Sequence, residues 1–289
     1  MIPRRYWSPL LEALGWALLF VGAQSAALLV LAVPYLAAQI SANPHLLDNP
    51  QALETLLTTR LTEDFLMRHQ SAVLLLSTAL GLGVLFLLRR RLSPPLWQGL
   101  YLHSWGRVPY ALLVPLGISL QLFTSILSNR ILALPGMEGV AELFEQYTQA
   151  VTGGEWIGLE LLAVAVAGPV CEEIFFRGAV LSALRRTALP SWLCVVGQAL
   201  LFGLIHGVPL QMGYAALIGL ALGFLTVFTG SVWPGVVIHA VFNAASYWPY
   251  ALTHALTGWY WVPLLVISGV TVFSCLVLIF SQKGTRDAT

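Results

Sequence analysis

Stretches of about 20 apolar residues, long enough to cross a hydrocarbon core, recur through this chain. Nothing else in it restricts the fold as much. Eight can be marked, near residues 12–38, 70–88, 108–128, 156–176, 191–206, 212–229, 233–250 and 259–281. Backbone at membrane depth has no water to bond, so it must be helical or closed into a barrel. The stretches lack the period-two alternation of barrel strands. The reading is an all-α, polytopic transmembrane helix bundle of about eight spans, with residues 1–289 as a single integral-membrane domain. The fifth to seventh stretches are short and separated by Gly and Pro.

Composition agrees. Only 9% of residues are charged and 58% are hydrophobic, against about 25% charged in a soluble domain. The net charge is +1, and no Lys/Arg-rich patch of the kind nucleic acid requires is present. The cysteines, Cys171, Cys194 and Cys275, are far apart and form no CxxC, so neither a disulfide framework nor a zinc knuckle is indicated. Arg4 and Arg5 precede the first apolar run as in a signal peptide. That run continues to about Ala38, beyond the 7–15 residues of a signal core, and is read as an uncleaved span.

The basic residues set the sidedness. With the N-terminus in the cytoplasm, the inner side receives Arg4, Arg5, Arg89, Arg90, Arg91, Arg107, Arg177, Arg185, Arg186, Lys283 and Arg286. The outer side receives Arg60, Arg68 and Arg130. Eleven against three follows the positive-inside rule and places both termini in the cytoplasm. Short loops fit a bacterial inner membrane. Two outer loops are amphipathic: Val140, Leu143, Phe144 and Tyr147 in one, Leu53, Leu56, Leu57 and Leu61 in the other. They read as interfacial helices packed on the bundle, with substrate gating by 136–150 as the other reading.

Against this background three charges stand out in one apolar stretch: Glu172, Glu173 and Arg177. Each charge near the bilayer centre costs roughly 2.5–3.5 kcal/mol on insertion scales. Adjacent helical residues point about 100° apart, so the two carboxylates cannot do the same work. Glu173 lies four residues before Arg177, the favourable order for a helical ion pair. That leaves Glu172 as the reactive carboxylate.

Two further pairs have the same four-residue spacing: Phe202 with His206, and His239 with Asn243. A turn at Leu189-Pro190-Ser191 would fold the Glu172 and His206 helices into a hairpin. The two side chains then lie at similar depth, within about one turn. Gly203 and Gly207 form a small-xxx-small pair that would let these helices approach. A carboxylate and an imidazole sharing a water can deprotonate it. His239 and Asn243 offer donors for an oxyanion, although His239 follows Pro234 closely and reads as shallower than Glu172.

Other readings stand beside this one. A buried His is often a packing residue, and an Asn in a membrane helix is often interhelical glue. Zn²⁺ held by Glu172, His206 and His239 would also activate water, though no His-Glu-x-x-His is present. Cys171, in apolar surroundings, reads as an inert thiol. His45, His69, His103 and His254 fall in loops or at span ends and read as solvated. Buried Glu and His also mark proton paths in transporters, and a catalytically silent membrane partner is the third class.

Together, Glu172-Glu173-Ile174-Phe175-Phe176-Arg177-Gly178, Phe202-Gly203-Leu204-Ile205-His206 and His239-Ala240-Val241-Phe242-Asn243 resemble the CAAX prenyl-protease and bacteriocin-processing (Abi) family of intramembrane endopeptidases. The resemblance covers 156–248, the motif-bearing core. It implies that Glu172 and His206 activate water, that His239 and Asn243 hold the oxyanion, and that Glu173, Arg177 and Phe202 support the site. It implies a peptide or protein substrate reaching the site from the membrane or cytoplasmic face, with lipids around it. It leaves open a metal-free mechanism, with no cofactor required, or a zinc-dependent one.

Overall fold

The computed structural model describes residues 8–90, 101–102, 108–152, 156–247, 258 and 260–281. Arg4, Arg5, Arg91, Arg107, Lys283, Arg286, His103, His254 and Trp248 lie outside them. Every element of the described residues is helical. In chain order these are α1 (Pro9–Ala42), a short 3-10 turn (Pro44–Leu46), α2 (Pro50–Thr55), a π segment (Leu56–Leu66), α3 (Met67–Arg90), α4 (Tyr110–Leu132) and α5 (Glu138–Thr152). A continuous helical run, 157–184, follows: α6 (Ile157–Glu160), a π segment (Leu161–Ala167), α7 (Gly168–Glu173), a second π segment (Ile174–Val180) and α8 (Leu181–Leu184). The chain closes with α9 (Ser191–Leu204), α10 (Pro209–Thr229), α11 (Trp233–Ala245) and α12 (Trp261–Ser281).

Each of the eight apolar stretches is helical over most of its described residues. Five helices, α1, α3 (over Arg68–Leu88), α4, α10 and α12, are long and apolar enough to cross a membrane. With 14 and 13 residues, α9 and α11 reach only about 20 Å, short of the roughly 30 Å core. The chain is therefore a multi-pass membrane protein by its five long helices. The two short ones lie within the bundle. Side chains such as Leu18, Leu29, Leu217 and Phe273 are exposed along the long helices, as lipid-facing residues should be.

The core has two lobes. One joins α1, the 171–184 part of the long run, and α9 through Phe20, Phe175, Phe176, Val195 and Phe202. The other joins α4, α10, α11 and α12 through Leu116, Leu222, Leu225, Ile238 and Cys275. Between them α9 and α10 pack through small residues. A Cβ on Gly203 would meet Ala216, one on Gly219 would meet Ala199, and one on Gly223 would meet Val195. Those pairs step in opposite directions along the two helices, which fixes an antiparallel register.

This corrects the role expected of the glycines. Gly203 serves the approach of α10, not of the helix carrying Glu172. Gly207 is past the end of α9 with φ +73°, a left-handed conformation that costs other residues about 1–2 kcal/mol. It turns the chain into α10. Arg177, counted above among the cytoplasmic charges, is fully buried and contributes nothing to surface charge. His69 is half-buried rather than solvated, with Nδ1 2.9 Å from the Phe65 carbonyl and its ring stacked on Phe65.

The amphipathic 136–150 piece is α5. It docks through Phe144, edge-on to Tyr214, and through Tyr147, whose Oη accepts from Gln211 Nε2 at 2.5 Å. Burial pushes the Tyr147 phenol up to about 12, so it stays a neutral hydrogen-bonding group at any physiological pH.

The α9–α10 register makes a measurable prediction. A Cβ at Gly203 would lie 2.6 Å from the Met212 carbonyl oxygen, so Gly203→Ala should destabilise the protein by about 1–3 kcal/mol. Gly197→Ala is the control, since its Cβ meets only Leu184 at 3.6 Å. Thermal unfolding in detergent should lower Tm for the first and spare the second. Equal Tm values would refute the register.

Candidate active site

The charges of the 157–184 run meet α11 and α9 where the two lobes join. Glu173 and Arg177 are both fully buried, with Arg177 Nη1 2.8 Å from Glu173 Oε1. The expected pair is present. It is a close charge contact rather than an aligned hydrogen bond, and the guanidinium nitrogens have no hydrogen-bond partner among the described residues. What the guanidinium has instead is an aromatic face: its Cζ lies 4.2 Å from the centre of the Phe202 ring. Such contacts stabilise a desolvated cation by about 2 kcal/mol.

Phe202 is the hub of the site. Its ring meets Phe176 edge-on at 5.2 Å, His206 at 4.9 Å and His239 at 5.9 Å. The Phe176–Phe202 contact also confirms the hairpin. Four residues back from Phe176 is Glu172, and four forward from Phe202 is His206, so the two share a level.

His239 is the unexpected member. Its Nδ1 lies 3.0 Å from Glu173 Oε1, and its Nε2 faces Glu172 Oε2 at 3.7 Å. One imidazole thus bridges both glutamates. An ionised carboxylate only accepts, so Nδ1 carries the hydrogen and donates it to Glu173. This geometry also corrects the expectation that His239 is shallow. The α10–α11 turn is itself buried, with Ser231 and Val232 fully covered. It is pinned by the Val232 amide to the Tyr101 carbonyl and by Trp233 Nε1 to the Leu102 carbonyl. Starting inside the bundle, α11 carries His239 to the level of Glu172. Gly235 makes room, since a Cβ there would meet Glu173 Oε2 at 2.9 Å.

Asn243 donates from Nδ2 to the Val164 carbonyl at 2.8 Å. Val164 lies in the Leu161–Ala167 π segment, where carbonyls leave the regular i→i−4 ladder. One amide hydrogen is therefore committed to holding α11 on the long helical run, and the second is not. His206 Nδ1 lies 2.8 Å from the Phe202 carbonyl, which leaves Nε2 as its outward nitrogen.

Exposure divides the residues. Glu172 is 15% exposed by its side chain, yet its Oε2 is buried without a hydrogen-bond partner. His206 and Asn243 are also part-exposed, whereas Glu173, Arg177, Phe202 and His239 are buried. The first group forms the open side of the cluster and the second its closed side. Among the described residues, no three His, Cys, Asp or Glu side chains are grouped at metal-holding spacing. Glu172, His206 and His239 do not close round a cation in this geometry.

Three buried polar residues escaped the sequence reading. Glu160, Gln198 and Gln211 are 3%, 0% and 6% exposed, and each has an unpartnered oxygen. Glu160 was legible in principle, being a fourth charge in the same apolar stretch. Gln198 and Gln211 carry no charge and sit in no repeated spacing.

Residues 154–245 match the family model described as Rce1-like, Type II CAAX prenyl endopeptidase. The match coincides closely with the 156–248 core and bears out the resemblance carried by the three signatures. No curated protein and no solved structure matches the chain.

The buried pair predicts a stability effect. Arg177→Met should destabilise the protein by about 3–5 kcal/mol by stranding the Glu173 charge. Adding Glu173→Gln should recover much of that loss. Denaturant titration in detergent, run as a double-mutant cycle, measures the coupling. Additive losses would rule out a working ion pair.

Proposed function

From the match of residues 154–245 to the Rce1-like, Type II CAAX prenyl endopeptidase family model, we propose that this chain is an intramembrane endopeptidase acting through Glu172. The carrying observation is the division of labour between adjacent glutamates. Glu173 is sealed against Arg177 and His239, while Glu172 keeps 15% of its side chain exposed and has no hydrogen bond to its Oε2. In this reading Glu172, assisted by His206 from the facing helix, takes a proton from water. The resulting hydroxide adds to the peptide carbonyl carbon. His239 and the second amide hydrogen of Asn243 stabilise the oxyanion. The proton passes to the departing amine as the C–N bond breaks.

The Glu173 contact sets a condition on this scheme. With the Nδ1 hydrogen donated to Glu173, His239 can donate from Nε2 only as an imidazolium. The second proton then lies between Nε2 and Glu172, across the 3.7 Å gap. Glu173 thus orients His239 and offsets its charge. No step in this scheme is routed through a metal, and none of its residues needs a cofactor. The substrate is a peptide or protein reaching the site from the membrane or its cytoplasmic face. Eight membrane segments with both termini in the cytoplasm of a bacterial cell complete the reading.

Glu172→Gln should lower turnover by about 10²–10⁴-fold, the usual worth of a general base. Glu173→Gln should lower it less. Comparative peptidomics of membranes from cells carrying wild type or Glu172→Gln reads the effect and identifies the substrate. Full activity in Glu172→Gln, with loss confined to Glu173→Gln, would reverse the assignment. Metal analysis of the purified active protein should find no stoichiometric zinc.

A further inference from the structure

A hydrolase inside a membrane needs a route for water, and several polar groups of α11 and the long helical run lie along their shared seam. On α11 and just beyond it, His239, Asn243 and Tyr247 recur every four residues. On the long helical run, Glu160, Val164, Gly168 and Glu172 do the same. The two series run antiparallel and meet at two of these positions. His239 faces Glu172 and Asn243 bonds the Val164 carbonyl. Tyr247 lies within electrostatic reach of Glu160. Tyr247 also donates to the Val151 carbonyl of α5 at 3.2 Å, so this end of the seam lies beneath α5.

The π segment makes the alignment possible. Over the 12 residues from Glu160 to Glu172, an α-helix would rotate the two side chains about 120° apart. The wider turns of Leu161–Ala167 reduce that rotation and keep the series on the α11 side.

Unpartnered acceptors mark the same line. Glu160 Oε1 and Glu172 Oε2, at its two ends, have no hydrogen-bond partner. Gln211 Oε1, similarly unpartnered, comes from α10 five residues past His206. Its amide nitrogen is the anchor of Tyr147 on α5. Buried acceptors left unpaired are costly, and polar groups in series are what an intramembrane water path requires. A carboxylate 97% buried beneath α5 has no part in the scheme above.

We propose that hydrolytic water reaches Glu172 along this seam, from an inlet at Glu160 beneath α5. The inference rests on the endopeptidase reading only for the need of water at Glu172. Glu160 is a path residue, not a member of the reacting set.

Cysteine accessibility tests it without turnover. In a background with Cys171, Cys194 and Cys275 replaced by Ala, single variants Glu160→Cys, Val164→Cys and Glu172→Cys are treated with membrane-impermeant thiosulfonates, one cationic and one anionic. Right-side-out and inverted vesicles are compared. Glu138→Cys reports the α5 end of the bundle and Ala188→Cys the opposite end. The expected result is that all three seam positions react from the side that labels Glu138→Cys. Adding Glu160→Leu should slow labelling at Val164→Cys and Glu172→Cys at least tenfold with both reagents, leaving Glu138→Cys unchanged. Labelling from the Ala188→Cys side, no labelling at all, or indifference to Glu160→Leu would each overturn the inlet. The Val164→Cys arm stands if Glu172→Cys does not accumulate. A chain that labels as expected but cleaves nothing keeps the inlet and loses the reaction. One that cleaves but labels from the other end does the reverse.

Discussion

A fully buried guanidinium and carboxylate, Arg177 and Glu173, are the constraint that the rest of this bundle accommodates. Desolvating two charges costs several kcal/mol per ion, and mutual attraction offsets that only with further support. Here the support comes from two other helices. Phe202 on α9 covers the cation, His239 on α11 donates to the anion, and the missing side chain of Gly235 lets α11 come close enough to do so. Each of these contacts has a second partner on the open side of the cluster. Phe202 also touches His206, and His239 also faces Glu172. The charge pair therefore fixes the positions of the groups proposed to react, while touching no substrate itself.

That arrangement explains why adjacent glutamates can differ so much. One peptide unit separates them, yet Glu173 is sealed and Glu172 is part-exposed. Rotation by about 100° along a helix is enough to move a side chain from the closed side to the open one. The division holds because the closed side is filled: Phe175 and Phe176, the next aromatic residues, are fully buried and leave no alternative packing for the run.

Much of this was legible in the sequence, for identifiable reasons. The Glu173–Arg177 pair and the shared level of Glu172 and His206 follow from helical spacing and from one proline turn, both local. The contact of Glu173 with His239 was not legible, because it depends on how deep the α10–α11 turn sits. That depth is set by long-range bonds from Val232 and Trp233 to Tyr101 and Leu102. The role of Gly203 was misjudged for a related reason. A small residue announces a close approach but not its partner, and α10 rather than the preceding helix supplies it. The π segments flanking Glu172 and Glu173 have no composition that distinguishes them from α-helix, so the alignment of Glu160 with Glu172 could not be read from spacing alone.

The shortness of α9 and α11 bears on how the protein is made. A 13- or 14-residue apolar segment is too short to be released into lipid alone during synthesis, and α11 also carries His239 and Asn243. The small-residue seam between α9 and α10 offers a remedy, since α10 is long enough to hold the bilayer while its neighbour folds against it. The short helices therefore depend on α10 for their place in the bundle, and the groups they carry come together only where α9 and α11 close on the buried arginine.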